Sequence, residues 1–427
     1  MEGLPQIGTV AIFTPIFSLP EDLMYEIFLD VCEGRDEPPL EISLVCKRWR
    51  TAVLDASLLW SNIRFNSPPP YHVQERRLQR SKSAPLNIII DKHKFHPLGM
   101  PSISSIVKLL RPYVYRFGSL DIRAMKEKGV RTFFDELGHI EAPMLKSLIL
   151  REVVDTKKWT LKPFGGHAPR LLTLHVAWGR TNWDPSLLCN LTTLTLGSLQ
   201  WIWGISTFDI LTTLAQTPRL TALTLKFHEE DLQAQKAWTS SQVKLEYLTV
   251  IHIPNGWGSR PVTRPWIESL LCGLFAPSLP KFPILISPTC LAALNNCPSF
   301  PLPSLQNLKM MHLAPNCPDE LTMSLNYFPA LMKNLHHLRA LILRGDQLNE
   351  TALHTLSTQL PCLDTLVIYD APLSFEGLKG MVLTRASNPS LSALKKLSPR
   401  KNLYSTTGWP STEEMEWIRA HVNELRC

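Results

Sequence analysis

The sequence predicts a two-part α/β protein, in which a small helical unit precedes a long array of strand-and-helix repeats. Leucine is the first indication, because it occupies 69 of the 427 positions, well above ordinary usage. The second is a short apolar phrase, L-x-x-L-x-L, which recurs ten times beyond residue 84 at intervals of 20 to 34 residues. The third is charge: residues 1–70 carry five Lys and Arg against ten Asp and Glu, whereas the remainder carries 39 against 27. Such a split predicts two units with different partners.

The first helix of the small unit is predicted to begin at Ser18. Ser18 caps the helix, Glu21 closes a capping box, and Pro20 lies in the first turn, where its missing N–H costs nothing. Apolar residues four apart form one stripe, flanked by Met24 and Phe28. The stripe consists of Leu19, Leu23, Ile27 and Val31.

A second helix is predicted over residues 40–56, and three prolines at 68–70 end the unit. About fifty residues are too few to bury a large core, yet this segment is rich in large apolar side chains. Either another protein covers the surplus, or the carboxy-terminal part of the same chain does, and the pattern alone leaves both open. The large apolar residues of this segment, some of which form the surplus, are Leu19, Leu23, Ile27, Phe28, Leu40, Ile42, Leu44, Val45, Trp49, Val53, Leu58 and Trp60.

The string LPEDLMYEIFLDVC…LEISLVCKRWRTAV…LLWSNIRF resembles an F-box, as found in the F-box/leucine-rich-repeat proteins that are abundant in fungi. The resemblance covers residues 17–65, and it implies a small helical module that binds the Skp-type adaptor of an SCF ubiquitin ligase. By motif position it implies residues at or just under the adaptor contact, namely Leu19, Pro20, Ile27, Leu44, Val45, Cys46 and Trp49.

The repeated phrase predicts leucine-rich repeats with irregular insertions. It runs from Phe117/Leu120/Ile122 to Leu363/Leu366/Ile368, includes Leu245/Leu248/Val250, and has a candidate eleventh copy at Leu391/Leu394. Each phrase is expected to be a strand with its leucines pointing inward, followed by helical segments such as 207–217, 349–360 and 374–386. Stacked units then form a curved parallel sheet with helices on the convex side. A final helix, with a capping box at Ser411/Glu414, is expected to cover the last repeat through Met415, Ile418, Val422 and Leu425.

The expected division of the chain is therefore an extension (1–16), an F-box (17–65), a linker (66–83), a solenoid (84–410) and a capping helix (411–427). Binding potential lies at strand positions between the leucines, which face the concave side; for any single residue the alternative is a merely solvated surface. The predicted target-binding residues are Arg151, His175, Thr195, Lys226, Tyr247, Lys309, Arg344 and Tyr369. Seven tryptophans between residues 178 and 266 are either partner anchors or core residues.

No phosphate-binding loop, nucleophile elbow or metal-ligand spacing is found in the sequence, so neither catalysis, a cofactor nor a metal is expected. The basic run Arg76, Arg77, Arg80 and Lys82 could contact phosphate, but it more readily keeps an exposed helix solvated, so nucleic acid is not an expected partner. No apolar stretch is suited to span a membrane. Nine scattered cysteines and the lack of a secretory signal predict reduced thiols and a cytoplasmic or nuclear location.

The sequence and the resemblance together predict a non-catalytic substrate-recognition subunit of an SCF-type ubiquitin ligase. Its partners would be a Skp-type adaptor, through the adaptor a cullin, and an unknown target protein held by the repeats. The alternative is an adaptor-bound scaffold that does not direct degradation.

Overall fold

The structure of the chain is a computed structural model. It covers residues 19–32, 40–66, 69–91, 103–123, 125, 127–151, 159–176, 181–197, 205–226, 232–233, 242–252, 269–278, 281–282, 307–309, 329, 332–344, 350–369, 374–400, 411–422 and 424–425. Within these ranges its helices are α1 (Glu21–Cys32), α2 (Leu40–Ser43), α3 (Lys47–Asp55), α4 (His72–Arg80), α5 (Ile103–Leu110), α6 (Glu127–Leu137), α7 (Pro185–Leu188), α8 (Thr207–Ala215), α9 (Glu350–Thr358), α10 (Phe375–Ser387) and α11 (Thr412–His421). Three 3₁₀ turns, at Ser57–Trp60, Arg111–Arg116 and Pro163–Gly166, accompany them.

One parallel sheet of 14 strands runs the length of the molecule. In spatial order its strands are β1 (Asn62–Phe65), β2 (Leu86–Asp91), β3 (Phe117–Arg123), β4 (Ser147–Arg151), β6 (Thr173–Val176), β8 (Thr193–Gly197), β10 (Ala222–Lys226), β13 (Val250–His252), β15 (Lys281–Phe282), β16 (Asn307–Lys309), β17 (Ala340–Arg344), β18 (Thr365–Tyr369), β19 (Lys396–Arg400) and β20 (Glu424–Leu425). Three small parallel pairs lie beside it: β5 (Trp159–Leu161) with β7 (Thr181–Trp183), β9 (Ile205–Ser206) with β11 (Leu232–Gln233), and β12 (Val243–Lys244) with β14 (Leu274–Phe275).

The sheet confirms the predicted fold class, because the repeated leucines stack in register across the strands. Leu120 pairs with Leu148, Leu148 with Leu174, and the row continues through Leu194 and Leu223. All five side chains are buried on the side of the helices. Since side chains alternate along a strand, the residues between them lie on the opposite face, which we call the open face. The chain is thus a solenoid of the leucine-rich-repeat type.

Two strands precede the first one that the leucine phrase predicts. Asn62–Phe65 pairs in parallel with Leu86–Asp91, which pairs with Phe117–Arg123. The segment expected as a linker contains the helix His72–Arg80, whose Arg77 is buried and donates to the carbonyl of Asn62. The sheet therefore starts inside the segment that resembles an F-box.

A ladder of threonines joins successive repeats just before their strands. The hydroxyl of Thr192 donates to the carbonyl of Leu172 at 3.2 Å, that of Thr221 to Thr192 at 2.9 Å, and that of Thr249 to Thr221 at 3.1 Å. The backbone N–H of each threonine donates to the same carbonyl. The N–H of the following residue (Thr193, Ala222 or Val250) also donates to that carbonyl, so each carbonyl accepts three hydrogen bonds at the point where the strand begins.

We expect Thr221→Val to lower the free energy of unfolding by about 1 kcal/mol, because it preserves the shape of the side chain but removes one part-buried hydrogen bond. Thr224→Val, in the same repeat, is the matched control, since Thr224 lies half-buried on the open face. Chemical denaturation of the two variants measures the difference. Equal midpoints would contradict a stabilising role for the ladder.

The predicted register is wrong in two repeats. Val250 pairs with Ala222 and Ile251 with Leu223, so the strand core is Leu248/Ile251 rather than Leu245/Leu248. In the candidate eleventh copy, Leu397 pairs with Leu366, so the core there is Leu394/Leu397. In both strings three apolar residues stand three apart, namely Leu245, Leu248 and Ile251 in one and Leu391, Leu394 and Leu397 in the other, so the first half of the phrase, L-x-x-L, fits in two registers.

Buried residues form two separate cores. The larger core extends along the solenoid from Ile63 to Val422. The smaller belongs to the helical unit and consists of Met24, Phe28, Ala52, Val53, Leu59 and Trp60. Trp183 is buried against the larger core, which favours the packing interpretation for this tryptophan; the other six predicted loop tryptophans lie outside the described residues.

The helix predictions for the solenoid are confirmed, with small shifts at the ends. Ser374 caps α10 by accepting from Gly377 N at 3.0 Å, and Ser411 and Glu414 form the predicted capping box of α11. Met415, Ile418 and Val422 are buried as predicted, but Leu425 belongs to the last strand and not to the helix. Asn349, the first residue of the helical segment expected over 349–360, lies outside the described residues. Cys46, Cys189 and Cys362 are free thiols, whereas Cys272 is disulfide-bonded, so the prediction of reduced thiols is wrong at that position.

Candidate functional site

The first helix of the helical unit carries two apolar stripes, and only one is buried. Met24 and Phe28, one turn apart, lie in the small core. Leu23, Ile27 and Val31 are also one turn apart and are exposed. A helix with apolar residues on two faces cannot bury both against a few short neighbours. The second stripe is therefore available to another molecule.

A break in the predicted second helix exposes two further apolar residues. The segment over 40–56 forms two helices, Leu40–Ser43 and Lys47–Asp55, because Cys46 has extended backbone and caps the second one through its Sγ, which accepts from Trp49 N at 3.5 Å. Leu44 and Val45 lie in the turn between them, with 72% and 60% of their surface exposed. The expectation of one continuous helix is wrong here, and the break leaves both side chains outside the core.

The seven predicted adaptor-binding residues fall into two groups. Pro20, Ile27, Leu44 and Val45 are exposed, whereas Leu19, Cys46 and Trp49 are half-buried and pack against the small core or cap a helix. The Trp49 ring lies edge-on to Phe28, with 5.0 Å between ring centroids. Leu19 is fixed by Arg48, whose Nη2 donates to the Leu19 carbonyl at 2.6 Å. The first group can contact a partner directly, and the second group supports it.

Further apolar residues of the helical unit are exposed, although motif position did not single them out. They are Leu23, Leu29, Val31, Leu40 and Leu58. The signal that could have identified them is the apolar surplus, which already contains Leu23, Leu40 and Leu58. Their exposure shows that the solenoid does not cover them, so the alternative in which the same chain hides the surplus is wrong for these residues.

The basic run after the helical unit attaches that unit to the sheet. The Arg80 guanidinium lies 4.5 Å from the centre of the Trp60 ring, and Lys82 Nζ lies 3.3 Å from Asp55 Oδ1. Arg77 is buried on the carbonyl of Asn62. In addition, Asn87 N donates to Ser61 O at 3.0 Å. The run is therefore not simply a solvated helix face, since these three cations hold the helical unit against the start of the sheet.

A second candidate surface is the open face of the sheet, where a charged cluster lies near the amino-terminal end. Asp121 Oδ2 accepts from Arg123 Nη2 at 2.7 Å and from Arg123 Nε at 3.0 Å, and it lies 3.6 Å from Arg151 Nη2. Asp91 and Arg64 lie on the same face, since Asp91 pairs in register with Arg123 and Arg64 with Ile89. Of this cluster the sequence identified only Arg151, although Asp121 and Arg123 occupy the same kind of position in their own strand.

Seven of the eight predicted target-binding residues lie in strands of the main sheet, and Tyr247 is the exception. Arg151, His175 and Thr195 are half-buried on the open face. The backbone of Lys226, Lys309, Arg344 and Tyr369 lies in strands, with Arg344 paired to Tyr369, but their side chains lie outside the described part. Tyr247 is exposed in the turn before its strand, so its strand position was wrong, and His252 occupies the position that pairs with Thr224.

Within the described ranges no group of His, Cys, Asp and Glu residues could hold a metal ion. Among the same residues, every helix is too short or too polar to cross a bilayer.

Two charged groups have shifted pKa values. Burial lowers the pKa of Arg116, because its guanidinium is enclosed by the carbonyls of Ser81 and Ala84. Hydrogen bonds from Ser186, and then the nearby Lys162, lower the pKa of Asp184, the capping residue of α7. Neither group shows a catalytic arrangement, since both stabilise local backbone.

Comparison with solved structures gives remote likenesses. A leucine-rich repeat-containing protein, LegL7 from Legionella pneumophila, is 12% identical, with a TM-score of 0.35, over 77% of this chain and 100% of that chain. The structure of the Rad7 and Elc1 complex in yeast is 14% identical, with a TM-score of 0.38, over 87% of this chain and 91% of that chain. No family model and no curated protein matches the chain.

Proposed function

We propose that the chain is the substrate-recognition subunit of an SCF-type ubiquitin ligase and has no catalytic activity of its own. Residues 17–65 would act as an F-box and bind a Skp-type adaptor, which joins the chain to a cullin. The open face of the sheet would bind the protein to be ubiquitylated. The observation that carries the proposal is the exposure of Ile27, Leu44 and Val45, all at motif positions, on a helical unit that keeps a core of its own.

The physical mechanism is proximity. A receptor that holds the adaptor at one end and a target on its sheet converts an encounter between ligase and target into an intramolecular one, with a high effective concentration. The contacts of Arg80 with Trp60 and of Lys82 with Asp55 support this role, because they fix the helical unit against the sheet. The distance between adaptor and target is then set by the fold.

The test is binding of a purified Skp-type adaptor to the full chain. We expect Leu44→Asp and Val45→Asp each to weaken binding by about 2 kcal/mol or more, roughly thirtyfold, because each places a charge in an apolar contact. Val73→Asp is the matched control, since Val73 is 57% exposed, close to the 60% of Val45, but lies on α4. Trp49 is unsuitable for this test, because its ring packs on Phe28 and its loss would disturb the fold.

The proposal fails if the unaltered chain does not bind the adaptor, or if Val45→Asp binds as tightly as Val73→Asp. The scaffold alternative is separated by the half-life of a co-purifying protein in cells that express Val45→Asp. A target of a ligase should persist longer in those cells, whereas a partner of a scaffold should not. A point variant is preferable to deleting residues 17–65, because that deletion would also remove the first strand of the sheet.

A further inference from the structure

The charged cluster on the open face is built around one carboxylate shared by two arginines. Leu120 and Ile122 are fully buried on the helix side, so Asp121 and Arg123 point to the open face. Arg123 pairs in register with Arg151 on the next strand, which places the two Cα atoms about 5 Å apart. Both guanidiniums contact the same oxygen, Asp121 Oδ2.

Exposure decreases from the cations to the anion. The side chains of Arg151 and Arg123 are 42% and 29% exposed, whereas that of Asp121 is 10% exposed. A molecule that approaches this face therefore meets the guanidiniums before the carboxylate. The three groups carry a net charge of +1, and the charge stays +1 when Asp91 and Arg64 of the same face are added. The cluster therefore presents positive charge to the open face, and the less exposed Asp121 carboxylate positions the two guanidiniums.

The network around Arg151 is incomplete. Arg151 Nε and Asp121 Oδ1 are buried and have no hydrogen-bond partner among the residues that the structure describes. A guanidinium offers five N–H donors in a planar fork that matches the two oxygens of a carboxylate. Because Asp121 Oδ2 lies 3.6 Å from Arg151 Nη2 and 42% of the Arg151 side chain is exposed, the terminal nitrogens of this arginine are suited to donate to a second and better-aligned anionic partner.

A row of small hydroxyl side chains crosses the strands beside the cluster. Ser119, Ser147, Thr173 and Thr193 pair in register from β3 to β8, and all are half-buried on the open face. Hydroxyl groups both donate to and accept from a peptide backbone. This row can therefore bind the main chain of an extended segment while the arginines bind its acidic side chains.

We infer that the open face over β3, β4, β6 and β8 binds an acidic peptide segment through Arg123 and Arg151. The inference deepens the proposed function and rests on it for the role of this face in holding a target. The recognised chemistry is an anionic group with at least two oxygens, whether the carboxylate of Asp or Glu or the phosphate of a modified side chain.

The experiment uses the full chain and a fluorescent oligoglutamate peptide at low ionic strength, with an oligoglutamine peptide as the uncharged probe. We expect oligoglutamate alone to bind, and Arg123→Met and Arg151→Met each to weaken binding roughly tenfold, because each removes a charge-assisted contact. Arg170→Met is the matched control, since Arg170 is exposed in a turn before its strand and its loss changes the net charge equally. Methionine keeps the apolar stem of arginine, and in either variant the other arginine remains beside Asp121.

Three outcomes would overturn the inference: no binding of oligoglutamate, equal binding of oligoglutamine, or equal weakening by Arg170→Met. Inorganic phosphate distinguishes the source of the anion. Displacement of the peptide by phosphate, but not by chloride at equal ionic strength, assigns the site to phosphorylated segments, and no such difference assigns it to carboxylates. Adaptor binding by the same variants is measured in parallel, because it tests the proposed function separately from the chemistry of the sheet.

Discussion

Replacing Arg385 with alanine is expected to lower the free energy of unfolding by about 4 kcal/mol, one of the two largest single effects that the structure predicts. Arg385 lies on α10 and is fully buried. Its two terminal nitrogens donate to five backbone carbonyls at 2.8 to 3.0 Å, those of Leu356, Gln359, Leu360, Leu363 and Ser392. Alanine would leave these carbonyls in the core without their shared donor.

The carbonyls that Arg385 binds belong mostly to the turn between α9 and the strand Thr365–Tyr369. The last carbonyls of a helix have no partner within the helix, and Leu360 in this turn has a φ of 59°, in the left-handed region that side chains disfavour. The arginine therefore holds a turn that its own sequence would not favour. Burial lowers the pKa of Arg385 to about 10, so the guanidinium stays charged at neutral pH.

Denaturation of Arg385→Ala, together with hydrogen exchange over α9 and β18, measures this effect. Arg419→Ala is the control, because Arg419 is exposed on α11 and should change stability by less than about 0.5 kcal/mol. We expect Arg385→Lys to recover little, since an ammonium has three donors and lacks the planar fork that reaches five carbonyls. A variant as stable as Arg419→Ala would show that water replaces the guanidinium in the turn.

The burial of three arginines could not be predicted from the sequence. Arg77, Arg116 and Arg385 are all buried, and all donate to backbone carbonyls. In the sequence they resemble any other charge on an amphipathic helix, because the carbonyls that surround them come from segments up to 35 residues away. The interpretation of Arg77 as part of a basic, solvated run was wrong for this reason.

The leucine phrase, in contrast, predicts the fold well, because one spacing rule is repeated in most strands. It identified the strands of the main sheet from β3 to β18 but missed the register where three apolar residues stand three apart, as at Leu245, Leu248 and Ile251. The structure resolves that ambiguity through the turn before the strand. Leu248 N donates to Leu245 O at 3.2 Å, as Leu220 N does to Thr217 O, so Leu245 ends the turn and Leu248 begins the phrase.

The candidate sites were predictable in part. Motif position identified Leu44 and Val45, which are exposed, but it could not separate them from Trp49, whose ring is needed in the small core. On the sheet, Arg151 was predicted without its counterion, because Asp121 lies 30 positions earlier and only the parallel register brings the two together. Residue type predicts which side chains can bind, and register decides which of them meet.

The second large effect concerns Trp60, which connects the helical unit to the solenoid. Trp60 is buried in the small core, its Nε1 donates to Val53 O at 2.8 Å, and Arg80 lies over its ring. We expect Trp60→Ala to destabilise the helical unit by 3–5 kcal/mol, the usual range for deleting a large core aromatic. A unit of this size has little more stability than that to lose.

Because the two cores are separate, we expect Trp60→Ala to unfold α1 and α3 while the sheet stays folded. Hydrogen exchange should then lose protection over Glu21–Cys32 and Lys47–Asp55 and keep it over Leu86–Asp91 and Phe117–Arg123, and adaptor binding should disappear. Trp60→Phe is the control: it keeps most of the buried ring but loses the bond to Val53, so it should cost about 1–2 kcal/mol and keep adaptor binding. Loss of protection throughout the sheet would show that both cores unfold as one unit, and adaptor binding would then depend on the whole solenoid rather than on the helices that carry Leu44 and Val45.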